Sequence, residues 1–325
     1  MPATFTHAIF AKDVYNCLPK KYSAIIEGNI KQYMMFSQSM DSMMFYNIES
    51  IMPGKELRRF QHTFHSTKTN EFFSCLINYI KNEKLYNDKE VMSFLYGFIC
   101  HYVLDSNVHP FVFYKTGLFD KKDKQSYKYN NLHSFMETYL DNYMIRERLS
   151  TNPFKFKIHN YCFYLKPFSK NLNKCINYVF GEVFCINNMD EIYYKSLKQM
   201  RSFLEKYRYD KTGIKKKCYK IIDFITPQYI FKFEVLSYNY KPKNTEYFLN
   251  KKHDIWFNPC DKKLFSYESF DDLYRKSINE AIDIIKNTNS YFYNSRGSIK
   301  EIFRNKSYIT GLDCNLELNL KNFYF

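Results

Sequence analysis

Six of the chain's eight histidines fall before residue 134: His7, His62, His65, His101, His109 and His133. Within that group His101, Asp105 and His109 follow one another at four-residue spacing. On a helix, residues i and i+4 share one face, a turn apart. His101 and Asp105 can therefore hold one metal ion together. His109 follows on roughly the same side, or just past the helix end, because Pro110 disfavours continued helix. A carboxylate set between two histidines can also bridge two cations, one on each oxygen. His133 and Glu137 repeat the spacing farther on. Imidazole nitrogen and carboxylate oxygen are the ligands of catalytic zinc, and apolar, aromatic neighbours around both pairs would make the site dry. Taken alone, either pair fits an ordinary hydrogen-bonded contact, and His101 fits a satisfied core histidine. The repetition, joined by an in-phase third histidine, is what points to metal.

Helices must carry these residues, and the apolar period predicts them. The first is Ala8–Leu18, stopped before Pro19. Thr67–Asn82 follows, with Phe72, Phe73, Leu76, Ile77 and Ile80 on one side. Asn87 or Asp88 can cap Lys89–Asp105, and Asn131 can cap Leu132–Leu149. Ser169–Cys185 is another candidate. Asn188 with Glu191, and Ser269 with Asp272, have the spacing of capping boxes, opening helices over Glu191–Tyr207 and Phe270–Asn287. Asn152–Leu165 alternates apolar and polar residues and reads as a short strand. Basic loops lie at Lys121–Asn131 and Tyr238–Lys252.

The composition agrees with a mostly α protein. Of 325 residues, 45% are hydrophobic, with 32 Phe and 31 Tyr but only 8 Gly and 9 Pro; so few turn residues favour long helices over many strands. Residues 1–150 hold 18 Lys and Arg against 15 Asp and Glu, a net +3, and residues 151–325 hold 30 against 18, a net +12. This divides the chain into a helical metal-binding core at 1–150 and a basic, mostly helical part at 151–325 that covers it, the two forming one domain or two. The basic part suits anionic partners such as phospholipid headgroups or nucleic acid, although free use of Lys explains it equally well. Nine cysteines without a CxxC pair read as reduced thiols. Met1–Lys12 has no apolar leader core, and Val91–Leu104 is too short to span a bilayer. The expectation is a cytoplasmic protein without a transmembrane segment.

The stretch Phe94-Leu-Tyr-Gly-Phe-Ile-Cys-His101-Tyr-Val-Leu-Asp105-Ser-Asn-Val-His109-Pro110 resembles the signature of the zinc-dependent phospholipase C family. Met1-Pro-Ala-Thr-Phe-Thr-His7 resembles the start of its unsecreted clostridial and bacillary members. The resemblance extends over about residues 1–150, and Ser307-Tyr-Ile-Thr-Gly-Leu-Asp313 adds a fragment near the end. It implies an all-α bundle, related to bacterial phospholipases C and P1-type nucleases, with a central cleft for two or three zinc ions. By that resemblance His7 binds one zinc of a close pair and His65 the other. His101 and Asp105 join them, with Asp105 as the bridge. His109, His133 and Glu137 hold a third ion, and Asp41 is the general base. Asp41 stands where the family has Gly-Pro-Asp, but Ser39 and Met40 replace the Gly and Pro. His62 is a neighbour that could be mistaken for His65. In secreted relatives the processed N-terminus also chelates zinc; here removal of Met1 would expose Pro2.

The function that follows is zinc-dependent hydrolysis of a phosphate ester, by phospholipase C-type cleavage of a phospholipid headgroup with a metal-activated water, with peripheral contact to a membrane surface. Two alternatives stay open. One is a nuclease or nucleotidase on the same scaffold, with Phe or Tyr stacking bases; the other is a metal-stabilised binding protein without turnover. His159 and His253 read as surface or loop residues, Trp256 as a core or rim aromatic, and Lys215–Lys217 as a solvated face with headgroup contact as the lesser reading.

Overall fold

A computed structural model describes residues 3–49, 54–227, 231–239, 246–294 and 298–324. Its helices, in chain order, are α1 (Thr4–Cys17), α2 (Lys20–Ser23), α3 (Ile30–Phe36), α4 (Lys55–Ser66), α5 (Thr69–Asn82), α6 (Lys89–Thr116), α7 (Leu132–Leu149), α8 (Ile158–Tyr161), α9 (Lys170–Phe184), α10 (Met189–Phe203), α11 (Ile214–Ile225), α12 (Phe270–Asn294) and α13 (Ile299–Phe303). The strands among the described residues are one two-residue antiparallel pair, Trp256–Phe257 with Phe265–Ser266. The fold is all-α. No helix among the described residues is long and apolar enough to cross a membrane.

Helix α6 is the axis of the molecule. Buried residues encircle nearly its whole length, from Glu90 to Thr116, and a helix apolar on all sides has to be surrounded by others. α1, α3, α7 and α12 pack around it, while α5 pairs with α9 and α13. The Asp88 carboxylate caps α6 by accepting from the Glu90 and Val91 amides. Gly97 is required by a close approach: a Cβ there would stand 2.7 Å from the Cβ of Phe36 and 3.0 Å from the Ser37 nitrogen. That contact brings the end of α3 against α6, one turn before His101.

Several expectations hold. α7 spans Leu132–Leu149, and α9 opens with the Ser169 hydroxyl capping the Leu172 amide. The Ser269 capping box forms in both directions, Asp272 accepting from the Ser269 amide and Ser269 Oγ accepting from the Asp272 amide. Trp256 is buried against Phe111.

Others are corrected. α6 does not end near Asp105 but runs through Pro110 to Thr116. A proline inside a helix costs about 3 kcal/mol; here Phe111, Val112 and Tyr114 are buried beyond it, and packing of that last stretch outweighs the lost bond. Asn152–Leu165 is no strand. Its backbone closes in local turns, with the Phe156 amide bonded to the Asn152 carbonyl and Cys162 to Ile158, and these lead into α8. Asn131 and Asn188 do not cap with their side chains; both are in the left-handed region. The Asn131 carbonyl oxygen of the side chain accepts from the Lys232 amide instead, and Asn177 of α9 takes over at Asp190. His159 is buried against Tyr209 rather than on the surface, whereas His253 is exposed. The loop expected at Tyr238–Lys252 lies partly outside the described residues, since 240–245 are among those not described.

Candidate metal centre

Four helices and one turn deliver the candidate ligands. His7 comes from the first turns of α1, His65 from the last turn of α4, His101, Asp105 and His109 from successive turns of α6, and His133 and Glu137 from the first turns of α7. Asp41 comes from a 3-10 turn, Ser39–Phe45, packed between α4 and α10. All these side chains meet. His7 Nε2 is 3.2 Å from Asp105 Oδ1. The other oxygen, Asp105 Oδ2, is 3.1 Å from His101 Nε2, 3.4 Å from His65 Nε2 and 3.6 Å from His109 Nδ1. Asp41 Oδ1 is 3.2 Å from His65 Nε2, and Asp41 Oδ2 is 3.8 Å from His101 Nε2. A second group closes beside the first, with His133 Nε2 2.9 Å and His109 Nε2 3.9 Å from Glu137 Oε1. A void of about 30 Å³ lined by His7, Asp105, His109 and Glu137 lies between the groups. His62 is exposed and faces away.

Hydrogen bonds to the far ring nitrogens fix which nitrogen is free. His65 Nδ1 lies 2.7 Å from the Gln61 carbonyl, His101 Nδ1 2.9 Å from that of Ser37, and His109 Nδ1 2.8 Å from that of Tyr308. A carbonyl only accepts, so each Nδ1 carries the hydrogen and each Nε2 is left to bind. Metal-ligating histidines are held in this way. His65 Nε2 and His101 Nε2 then face each other at 3.0 Å, a distance that needs a proton or a cation between them. Asp41 Oδ2 and Asp105 Oδ2 are buried without a hydrogen-bond partner. Buried carboxylates persist when paired or coordinated. The nitrogens and oxygens of both groups are of the types zinc takes, so the residues fit the metal.

Burial and the two aspartates set the charge of the histidines. Burial opposes charge on His65, yet Asp41 and Asp105 beside it hold its pKa up at about 10. Burial also lowers His101 and outweighs its two carboxylate neighbours, so His101 stays neutral. A protonated His65 Nε2 thus faces the neutral ring of His101 and the carboxylates of Asp41 and Asp105. Burial opposes the charge of Asp105 too, but His109, His101 and His7 hold its pKa well below the carboxylate range. Zinc needs the unprotonated Nε2, so its binding must expel the His65 proton. The sign is definite: below about pH 10 the metal-free site is protonated there, and zinc affinity rises with pH. Calorimetric titration of zinc in two buffers of different ionisation heat should show protons released at neutral pH. A binding heat independent of the buffer would contradict this protonation.

The α4 segment, the Gln61 side chain that donates to Asp41 Oδ1 at 3.0 Å, and the carbonyls of Ser37 and Tyr308 were not singled out by sequence reasoning. Leu57, Phe60 and Phe64 do carry a helical period that marks α4. The Ser307–Asp313 fragment finds its place here. The Tyr308 amide donates to the His65 carbonyl, the Ser307 hydroxyl reaches the same oxygen, and the Tyr308 ring packs on His65 and His101. Gly311, with φ +67°, lies so close to the freed Ser106 carbonyl that a Cβ would come within 2.5 Å of it. Met1 and Pro2 lie outside the described residues, and with them any role of the N-terminus.

Ser39 adopts φ +44°, the left-handed region that costs a non-glycine residue about 1–2 kcal/mol. Its hydroxyl is buried without a partner. The backbone there takes a conformation suited to glycine although the side chain is serine. Ser39→Gly should raise stability by about 1 kcal/mol in denaturant unfolding, and a clear loss would contradict the strain.

No curated protein and no solved structure matches the chain. Residues 6–222 match the family described as "Zinc dependent phospholipase C", a span that contains every one of the candidate ligands from His7 to Glu137, and on that match the chain belongs to the zinc-dependent phospholipase C family.

Proposed function

We propose that the chain hydrolyses a phospholipid between its glycerol and its phosphate, using two or three zinc ions held by the two ligand groups. The observation that carries this is the convergence of seven ligand side chains with the Nδ1 atoms of His65, His101 and His109 already committed to carbonyls. Family membership supports a zinc-dependent hydrolase of phosphate esters. Bound zinc would supply positive charge against the phosphate oxygens and a water acidic enough to ionise near neutral pH.

The chain's own residues do the rest. His7, His65, His101 and Asp105 would hold two of the ions, with the two Asp105 oxygens turned to different histidines. His109, His133 and Glu137 would hold a further one. Asp41 is ionised: His101 and His65 lower its pKa despite burial. Gln61 fixes one of its oxygens, leaving Oδ2 free to take a proton from the attacking water. The aromatic rings around His65 and His101 exclude bulk water, which strengthens each of these interactions.

The test is release of diacylglycerol and a phosphorylated headgroup from mixed phospholipid–detergent micelles, lost on chelation and regained with zinc. Cleavage confined to nucleotide phosphodiesters, with steep salt dependence, would replace the lipid reading by the nuclease one. Tightly bound zinc with no hydrolysis of either class would leave a metal-stabilised binding protein.

A further inference from the structure

We infer that α11 docks the protein on an anionic lipid surface; this extends the phospholipid reading above by giving the substrate's bilayer a place to bind. The helix is inverted relative to an ordinary surface helix. Such a helix turns its apolar stripe to the core and its charges to water, but no residue of α11 is buried, and its polar side is the one fastened to the protein. Lys215 Nζ donates to the carbonyls of Glu205 and Tyr209. Tyr219 OH donates to the Tyr207 carbonyl. Asp223 accepts from the amides of Phe233 and Glu234 at 2.7 and 2.8 Å, and Asp210 caps the start through the Lys215 and Lys216 amides. With those groups turned inward, Ile214, Ile221, Phe224 and Ile225 face outward, 61%, 67%, 91% and 75% exposed.

A contiguous exposed apolar stripe marks a binding surface, and three features select lipid over protein. Asp223 is the only acidic residue of α11, and it is committed to the inner side, so the charge beside the stripe is positive: Lys217 is exposed, and Lys220 stands at the flank, 66% exposed and 3.9 Å from Glu234 Oε1. Phe224 is nine-tenths exposed; a bilayer accepts such a ring directly, whereas a protein partner would need a matching groove. Apolar residues beside Lys on a short helix are the composition of interfacial helices that lie in the headgroup layer. The placement suits the site as well. The 231–236 segment held by Asp223 is tied to α7 by the Lys232 amide on Asn131 and by Thr138 Oγ1 on the Val235 carbonyl. These ties flank His133 and Glu137, and His133 is the most exposed of the ligands, at 26%.

The experiment is flotation of the zinc-loaded full chain with vesicles of equimolar phosphatidylcholine and phosphatidylglycerol, and with phosphatidylcholine alone. The protein should float with the anionic vesicles. Ile221→Ser with Phe224→Ser should weaken that binding about tenfold or more at an unchanged melting temperature, and Lys217→Gln with Lys220→Gln should do so about tenfold for the anionic vesicles only. Wild-type protein that stays below the anionic vesicles overturns the inference, as does undiminished binding by the serine pair. A chain that is dimeric in solution and turns monomeric with the serine pair assigns the stripe to a second copy instead. Flotation is read without hydrolysis, so docking and the catalytic reading fail separately: an inactive protein can still float, and an active one can remain below.

Discussion

Asp105→Asn should strip the close zinc pair from the protein and lower phosphodiester hydrolysis by about a thousandfold or more. The expectation comes from geometry. Asp105 Oδ1 faces His7 and Oδ2 faces His65 and His101, so its carboxylate reaches all three histidines of the close group. The amide keeps the shape but removes the negative charge and presents an NH2 group on one side, where it can only repel a cation. The His109, His133 and Glu137 group does not need the charge at Asp105 and should keep its ion. Metal analysis of the purified variant should therefore show about one zinc left per chain. Unchanged zinc content would remove Asp105 from the bridging role. The same substitution takes away one of the two carboxylates that hold the His65 proton, so the proton released on adding zinc should fall as well.

Asp41→Asn should abolish turnover, by about 10²–10⁴-fold, while leaving the metal in place. Asparagine can still accept from Gln61 through its side-chain oxygen, so the 3-10 turn keeps its anchor, but it cannot take a proton. Asp41 lies among the ligand atoms, 3.2 Å from His65 Nε2, close enough that it could itself be a ligand. Measuring zinc content and turnover on the same sample separates the roles. Full metal with lost turnover supports the base. Loss of metal together with activity makes Asp41 a ligand, and full activity excludes both.

The helical ligand pairs were legible in the sequence because they depend only on local geometry. Spacing of four on one helix is enough to place His101 with Asp105 and His133 with Glu137, and both pairs meet as the period requires. Capping was legible where the motif closes on itself, as at Ser269 and Asp272, and misleading at Asn188, where a neighbouring helix supplies the cap. What could not be read was long-range. The carbonyls that fix the histidine tautomers come from Ser37, Gln61 and Tyr308, and a backbone carbonyl has no residue type to betray it. Continuation of α6 through Pro110 depends on the packing of Phe111 and Val112, which local propensity cannot weigh. His65 and Asp41 were reached only through family resemblance, since neither has an in-phase partner on its own segment. α11 was not among the expected helices, and which of its sides faces water is decided by Asp223 and Lys215, bonded to residues about ten positions away.

The claim on which the rest depends is that these side chains hold metal, and elemental mass spectrometry of the purified, untagged protein tests it most directly. Two or three zinc per chain are expected, restored by added zinc after chelation. Essentially no bound metal, even after zinc is offered back, would mean that the buried histidines and carboxylates pair only with one another, and both the zinc centre and the hydrolytic reading would be wrong.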